Sequence, residues 1–386
     1  MSIENQNLVS QIYCSGELYS GGESVITDLK NSGFTSVVAW SVHISPSGDL
    51  IYNDPTIVKD GQYVGSSEWP AQLAELKSGT TSINRLIFSI GGWNCPDFEH
   101  IQALIKQYGI GPENPLYQNF KVLKETIPSI DAIDFDDESL YDQDTTVKFS
   151  LLLESLGYKV TFCPYMNMDF WNECLYILNQ SSPGLVEAYN LQCYAGGAYN
   201  NPKNWIDAIE QKMGTGFDAT GFVYPGLWCK HGTDCAQGDC PSEITDALED
   251  WNASVNGLKG GFIWLYSDIV SCENSGVCDC GMSTKAYAQA VLSGLSTEQS
   301  WVETRNVAEY KGASWDNFIQ TMSSTTVEAA KAYADGNEDI SYFFYCRGPI
   351  VMEPNHSFAA GTAVFFSGSP WYGSAPQCDA YVKATN

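Results

Sequence analysis

The chain has 386 residues, 44% of them hydrophobic, which is enough for a sizeable core and longer than an average single domain. With 19 basic and 46 acidic residues the formal charge is −27 at pH 7, which argues against nucleic acid and anionic membrane as partners and suits a neutral or cationic one. No stretch approaches the roughly 20 apolar residues of a membrane span. The start, Met1 to Asn7, has neither the charged nor the apolar region of an export signal, so the expected location is the cytoplasm, or the exterior by an unconventional route.

Apolar, strand-like runs recur with helical stretches between them. In chain order the strands are Val9–Tyr13, Ser36–Val42, Arg85–Ile90, Ala132–Asp136, Lys159–Pro164, Glu187–Tyr194, Thr220–Tyr224 and Gly261–Tyr266. The helical stretches are Gly22–Asn31, Pro70–Lys77, Asp97–Tyr108, Asn114–Thr126, Thr145–Leu156, Asp169–Asn179, Asn204–Lys212, Ser242–Asn252 and Thr284–Leu295. Eight alternations of strand and helix predict an α/β fold, a (β/α)8 TIM barrel over residues 1–296, with residues 297–386 as a small α+β appendage. Active residues in such barrels sit at the carboxyl ends of the strands and in the loops that follow.

The fourth strand carries the densest chemistry. Residues 131–138 read Asp-Ala-Ile-Asp-Phe-Asp-Asp-Glu, with the acids spaced D-x-x-D-x-D-x-E. Period-two alternation puts Asp134, Asp136 and Glu138 on one face and Ile133 and Phe135 on the other. Like charges this close cannot all ionise, so they share protons and their pKa values separate. Chemistry that needs a protonated acid near neutral pH uses this arrangement. An acidic surface strand or a hard-cation site is the competing reading; the apolar neighbours Ile130, Ile133 and Phe135 argue instead for a strand buried on both faces.

The octet resembles the catalytic strand of glycoside hydrolase family 18, the chitinases and endo-β-N-acetylglucosaminidases. Ser89-Ile90-Gly91-Gly92-Trp93, at the end of the third strand, is similar to the family's S-x-G-G signature. Glycines there let backbone approach the fourth strand, and Ser89 can bond the inner carboxylates. Gln192-Cys193-Tyr194 is similar to the Q-x-Y of plant-type members, and Trp264 falls where the family floors its −1 sugar site with a tryptophan. The resemblance implies that Glu138 is the general acid, that Asp136 supports the substrate acetamido group beside a buried Asp134, and that Tyr194 holds the acetamido oxygen next to Gln192. Asp131 is expected to be structural. Trp40, Trp93, Tyr165, Tyr224 and Trp228, near strand ends, are the expected sugar-stacking surfaces. The implied substrate is a GlcNAc-containing oligo- or polysaccharide, with chitin-type oligomers first, N-glycan cores second and a non-catalytic lectin as the alternative to an enzyme. No cofactor or resident metal is expected. Ala132, where the family usually has Gly, and Asp137, where it is often aromatic or aliphatic, depart from the pattern.

Of the 13 cysteines, Cys229, Cys235, Cys240, Cys272, Cys278 and Cys280 cluster in the loops after strands seven and eight, with His231 among them. Loop-tying disulfides and a Cys/His zinc site are the two readings; the spacings do not fit a C-x2-C ribbon. The short connection between strands seven and eight leaves little room for a wall-building insertion, so an open groove is expected. In the appendage, Ser314–Ala334 reads as helix, and Ile340–Cys346, Thr362–Phe366 and Ala380–Lys383 read as strands. Ser369 to Gly373 reads either as an aromatic sugar-binding patch or as a surface for packing against the barrel or for a dimer contact.

Overall fold

The computed structural model describes residues 8–383 apart from 198, 215, 256, 279–280, 297–300, 310–316, 338, 353–355 and 369–371. Two compact units divide at Leu295 and Ser296. In the first, eight parallel strands run in chain order: Val9–Cys14, Ser36–Ile44, Arg85–Gly91, Ala132–Asp136, Lys159–Phe162, Val186–Gln192, Val223–Trp228 and Gly260–Trp264. The eighth pairs back onto the first (Val9 with Gly260, Ile12 with Ile263), so the sheet closes and no edge is left to protect. This is the (β/α)8 barrel that the alternation predicts.

Alternation along each strand builds two cores. Outward residues such as Ile133, Phe135, Phe88 and Phe162 pack with the surrounding helices; Phe135 stacks on Phe149 at 5.1 Å. Inward residues Tyr13, Val38, Ile87, Ala132 and Phe262 fill the barrel. Helices start where the sequence supplies caps. Asn114, ahead of Pro115, accepts the Leu116 N–H, and Asp142 accepts that of Thr145, each relieving an orphan donor of a first turn.

The seventh strand lies several residues later than Thr220–Tyr224. A turn held by the Gly221 N–H donating to Asp218 occupies that stretch, and Pro225 and Gly226 belong to the strand, not to a turn. Gly226 is required there, because a Cβ would lie 1.9 Å from the Phe262 ring. Tyr266, expected at the end of strand eight, starts a helix, Tyr266–Cys272. Strand two also extends through three short antiparallel strands, Leu50–Tyr52, Thr56–Lys59 and Gln62–Tyr63, that the alternation did not predict.

The second unit is a five-stranded sheet, with Trp301–Glu309, Tyr372–Lys383, Tyr342–Cys346, Thr362–Phe366 and Phe318–Met322 as spatial neighbours, plus a hairpin of Ile350–Met352 and His356–Phe358. The expected helix Ser314–Ala334 is corrected: Phe318–Met322 pairs with Thr362–Phe366, and helix begins only at Val327, capped by Thr326. β-branched and aromatic residues in Phe318 to Met322 gain cross-strand partners, which overrides a weak helical preference. Of the possible aromatic patch, residues 369–371 lie outside the described residues, and the side chains of Tyr372 and Gly373 are likewise not described.

Cys346 and Cys378 stand opposite each other in that sheet, with Sγ atoms 3.3 Å apart and both buried. A disulfide needs an S–S separation of about 2.05 Å, so little motion separates the pair from a crosslink. Exposure to a disulfide oxidant such as oxidised glutathione is expected to join the two cysteine peptides in a non-reducing digest read by mass. Recovery of both as free thiols after prolonged exposure would contradict this.

Candidate active site

The mouth of the barrel at the carboxyl ends of the strands holds a cleft of about 680 Å3, lined by Asp136, Glu138, Gln192, Tyr194, Tyr165, Trp40, Trp93, Trp228 and Trp264 together with His43, Cys95 and His231. The fourth strand places three carboxylates at successive depths. Asp134 is fully buried and accepts from four donors: the hydroxyls of Thr161 (2.6 Å), Ser89 (2.7 Å) and Tyr13 (3.0 Å), and the Asn190 amide (3.0 Å). Burial pushes its carboxyl up, and the four hydrogen bonds pull against that.

Asp136, one step nearer the cleft, accepts from Trp40 Nε1 (3.2 Å) and Gln192 Nε2 (3.0 Å). Burial, then the neighbouring Glu138 and Asp134, hold its carboxyl well above the usual range. Glu138 is half-buried and is raised by burial as well, with Gln192 Nε2 3.4 Å away. Gln192 thus spans both carboxylates, each of which burial raises. Asp137 points away from its neighbours and accepts the backbone N–H groups of Ser139, Leu140 and Tyr141. Its departure from the family pattern is therefore a brace for the loop that presents Glu138.

The glycines after strand three have a steric reason. A Cβ on Gly91 would lie 2.3 Å from the Asp136 carbonyl, and Gly92 donates its N–H to that carbonyl at 2.8 Å, so strands three and four meet backbone to backbone. Trp264 forms the floor, edge-on to Trp40 at 4.8 Å and nearly parallel to Tyr194 at 6.1 Å. Trp228 stacks on Tyr194 at 5.8 Å and on His231 at 4.5 Å. Trp93 is 82% exposed, a flat apolar face turned to solvent at the rim.

Two expected residues lie away from the cleft. Asp131 sits at the amino end of strand four, where it binds Lys77 Nζ at 2.7 Å and accepts the Leu86 N–H, a brace between strands. Tyr224 is a correction to the sugar-stacking set. It is near the start of strand seven, with Arg85 and Glu187, and lines a separate 510 Å3 cavity at the opposite end of the barrel. A strand of this length spans the barrel, so the true position of strand seven moves Tyr224 to the wrong end.

The cysteine cluster resolves into two disulfides, Cys235–Cys272 and Cys240–Cys278, which tie the loop after strand seven to the segment after strand eight. Those four sulfurs are not thiolates, and His231 lies on Trp228, so the zinc reading of this cluster is overturned. Cys229 is a buried free thiol, and Cys280 lies outside the described residues.

Tyr13, Thr161, Asn190 and Gln11, which donates to Asn190 at 2.6 Å, were not singled out from sequence. A signal existed: Asn190 shares parity with Gln192 on strand six, and a polar residue at an inward barrel position needs a partner.

Fold and site together define a (β/α)8 barrel whose mouth is built for carboxylic acid chemistry on an aromatic floor. No protein-family model matches the sequence, and no curated protein sequence matches it. Among solved structures, the chain is similar to a family 18 chitinase from Pseudoalteromonas aurantia at 12% identity and a TM-score of 0.52, covering 74% of this chain and 100% of that one. It is also similar to the chitinase of the Yersinia entomophaga toxin complex at 11% identity and a TM-score of 0.50, covering 76% and 86%. The barrel thus has the fold of family 18 chitinases.

Proposed function

We propose that the protein is a glycoside hydrolase of family 18 type, cleaving β-linked N-acetylglucosamine glycans with the help of the substrate's own acetamido group. The observation that carries this reading is the convergence of Glu138, Asp136, Gln192 and Tyr194 over Trp264 in one cleft. Glu138, whose carboxyl burial raises, donates its proton to the glycosidic oxygen while the 2-acetamido carbonyl attacks the anomeric carbon; water, deprotonated by the same carboxylate, then opens the cyclic intermediate. Asp136 takes the acetamido N–H and so orients that carbonyl for attack. The Tyr194 hydroxyl, kept in its neutral donor form by burial, bonds the acetamido oxygen. Asp134 is occupied by four donors, and Gln192 bridges Asp136 and Glu138.

Chitin-type oligomers are the first substrate. Residues 229–259, between strands seven and eight, hold a short 3-10 turn and one helix, Pro241–Val255, which favours an open groove and a second reading in which the glycan is an N-glycan core still attached to protein. Incubation with chitooligosaccharides and with a glycopeptide bearing a GlcNAc2 core, read by mass, distinguishes the two. Oligomer fragments support the first, a peptide retaining one GlcNAc supports the second, and intact substrates in both arms refute hydrolysis and leave a lectin.

The raised carboxyls fix the sign of the pH response. Hydrolysis requires one proton on the Asp136 and Glu138 pair, so kcat/KM falls as pH rises through their raised pKa, above the ordinary glutamate value of about 4.3. Stability follows the same sign: carboxyls raised on folding contribute fully below their unfolded pKa, and the contribution is lost as pH rises through the folded one. A rate profile on a soluble oligomer that is flat from acid to alkaline pH would contradict the assignment.

A further inference from the structure

On the wall of the cleft, beside the carboxylate row, three donors of different chemistry converge. His43 comes from the second strand, Cys95 from the loop after the third, and Asp97 from the first turn of the helix Asp97–Tyr108. One ligand atom from each lies within 4.8 Å of the others. Asp97 is buried; one of its oxygens accepts the Ile44 N–H at 2.7 Å, and the other is 2.9 Å from His43 Nδ1. The imidazole nitrogen and the carboxylate oxygen thus face one another, and a cation between them would take the place of the hydrogen they share. Cys95 is only partly buried, and its sulfur has a weak contact, 3.6 Å to the Trp93 carbonyl.

Zinc bonds of about 2.0–2.1 Å to nitrogen or oxygen and about 2.3 Å to sulfur place tetrahedral donors roughly 3.4–3.6 Å apart. The His43 Nδ1 and Asp97 oxygen, 2.9 Å apart, therefore need to open by about 0.5 Å, while the Cys95 sulfur, within 4.8 Å of both, moves in by a side-chain rotation. Asp136 and Glu138 line the same cleft as His43 and Cys95 and add acidic groups beside the three donors. A mixed nitrogen, sulfur and oxygen set selects zinc-class ions over calcium or magnesium, which take oxygen shells.

We propose that His43, Cys95 and Asp97 bind a divalent cation of the zinc class on the wall of the cleft. Binding forms the metal–sulfur bond and releases the thiol proton to solvent. Three protein donors leave a fourth position, open to the groove that His43 and Cys95 share with Glu138, so the loaded site competes with a glycan for that space.

The test uses the full chain, freed of metal by chelation and titrated with Co2+, then Zn2+. One equivalent of Co2+ with a thiolate-to-cobalt absorption band, displaced by Zn2+, is expected for the wild type. Cys95→Ser should abolish the band and weaken zinc binding in equilibrium dialysis at least tenfold, and His43→Gln should weaken it as well. Circular dichroism establishes that each variant is folded; if Cys95→Ser is not, His43→Gln decides. No band in the wild type, or a band of full strength in the folded variants, which would place the ion on another thiol, overturns the proposal. The competition with glycan rests on the proposed hydrolysis and is read separately, as zinc inhibition that Cys95→Ser relieves; the cobalt spectrum decides metal binding whether or not the protein hydrolyses anything.

Discussion

Glu138→Gln is expected to reduce hydrolysis of a chitooligosaccharide by about 10^2 to 10^4-fold, the range a positioned general acid supplies. The amide keeps the shape of the side chain beside Gln192 but has no acidic proton to give the leaving oxygen. The proposed sugar-contacting surfaces, Trp264, Tyr194 and Trp228, are untouched, so oligosaccharide binding should stay within about threefold when followed by tryptophan fluorescence. This split between lost turnover and retained binding separates a catalytic role from a structural one. A variant that hydrolyses within a few fold of the wild type would remove Glu138 from the reaction.

Asp134→Ala should instead act on folding. It would strip four buried donors of their acceptor at once, the Thr161, Ser89 and Tyr13 hydroxyls and the Asn190 amide, at a position with no access to bulk water. Each unsatisfied buried group costs about 1–3 kcal/mol; with partial relaxation the total should be about 3–5 kcal/mol, seen as a fall in Tm of about 5–8 °C for a unit of this size. Asp134→Asn keeps the volume and one acceptor oxygen, and the three hydroxyls can turn to suit it, so it should lose less than half as much. Equal Tm values for wild type and Asp134→Ala would mean that the network does not hold the barrel centre.

Much of the barrel was legible because its strands declare themselves locally. The Gly-Gly pair after Ser89 and the parity of Gln192 with Tyr194 each had a reason visible in a few residues. What misled was also local. The expected seventh strand stops at Tyr224, yet it runs on through Pro225 and Gly226, where a glycine admits Phe262 from the next strand, and that displacement carried Tyr224 into the expected sugar-binding set. The stretch Phe318 to Met322 read as helix until a partner strand, Thr362 to Phe366, supplied its ladder. Asp137 departs from the family pattern in sequence and is a brace for backbone amides in space.

The sequence by itself determined that Asp134, Asp136 and Glu138 share one face of a strand, because successive side chains on extended backbone must point to opposite sides whatever surrounds them. Only the tertiary structure decided what each acid meets. Tyr13, Thr161 and Asn190 reach Asp134 from strands one, five and six across a closed barrel, and His43 comes to Cys95 and Asp97 from a different strand. Such meetings depend on how the barrel closes, and closure is set by the register of eight strands together, which no single stretch of chain specifies.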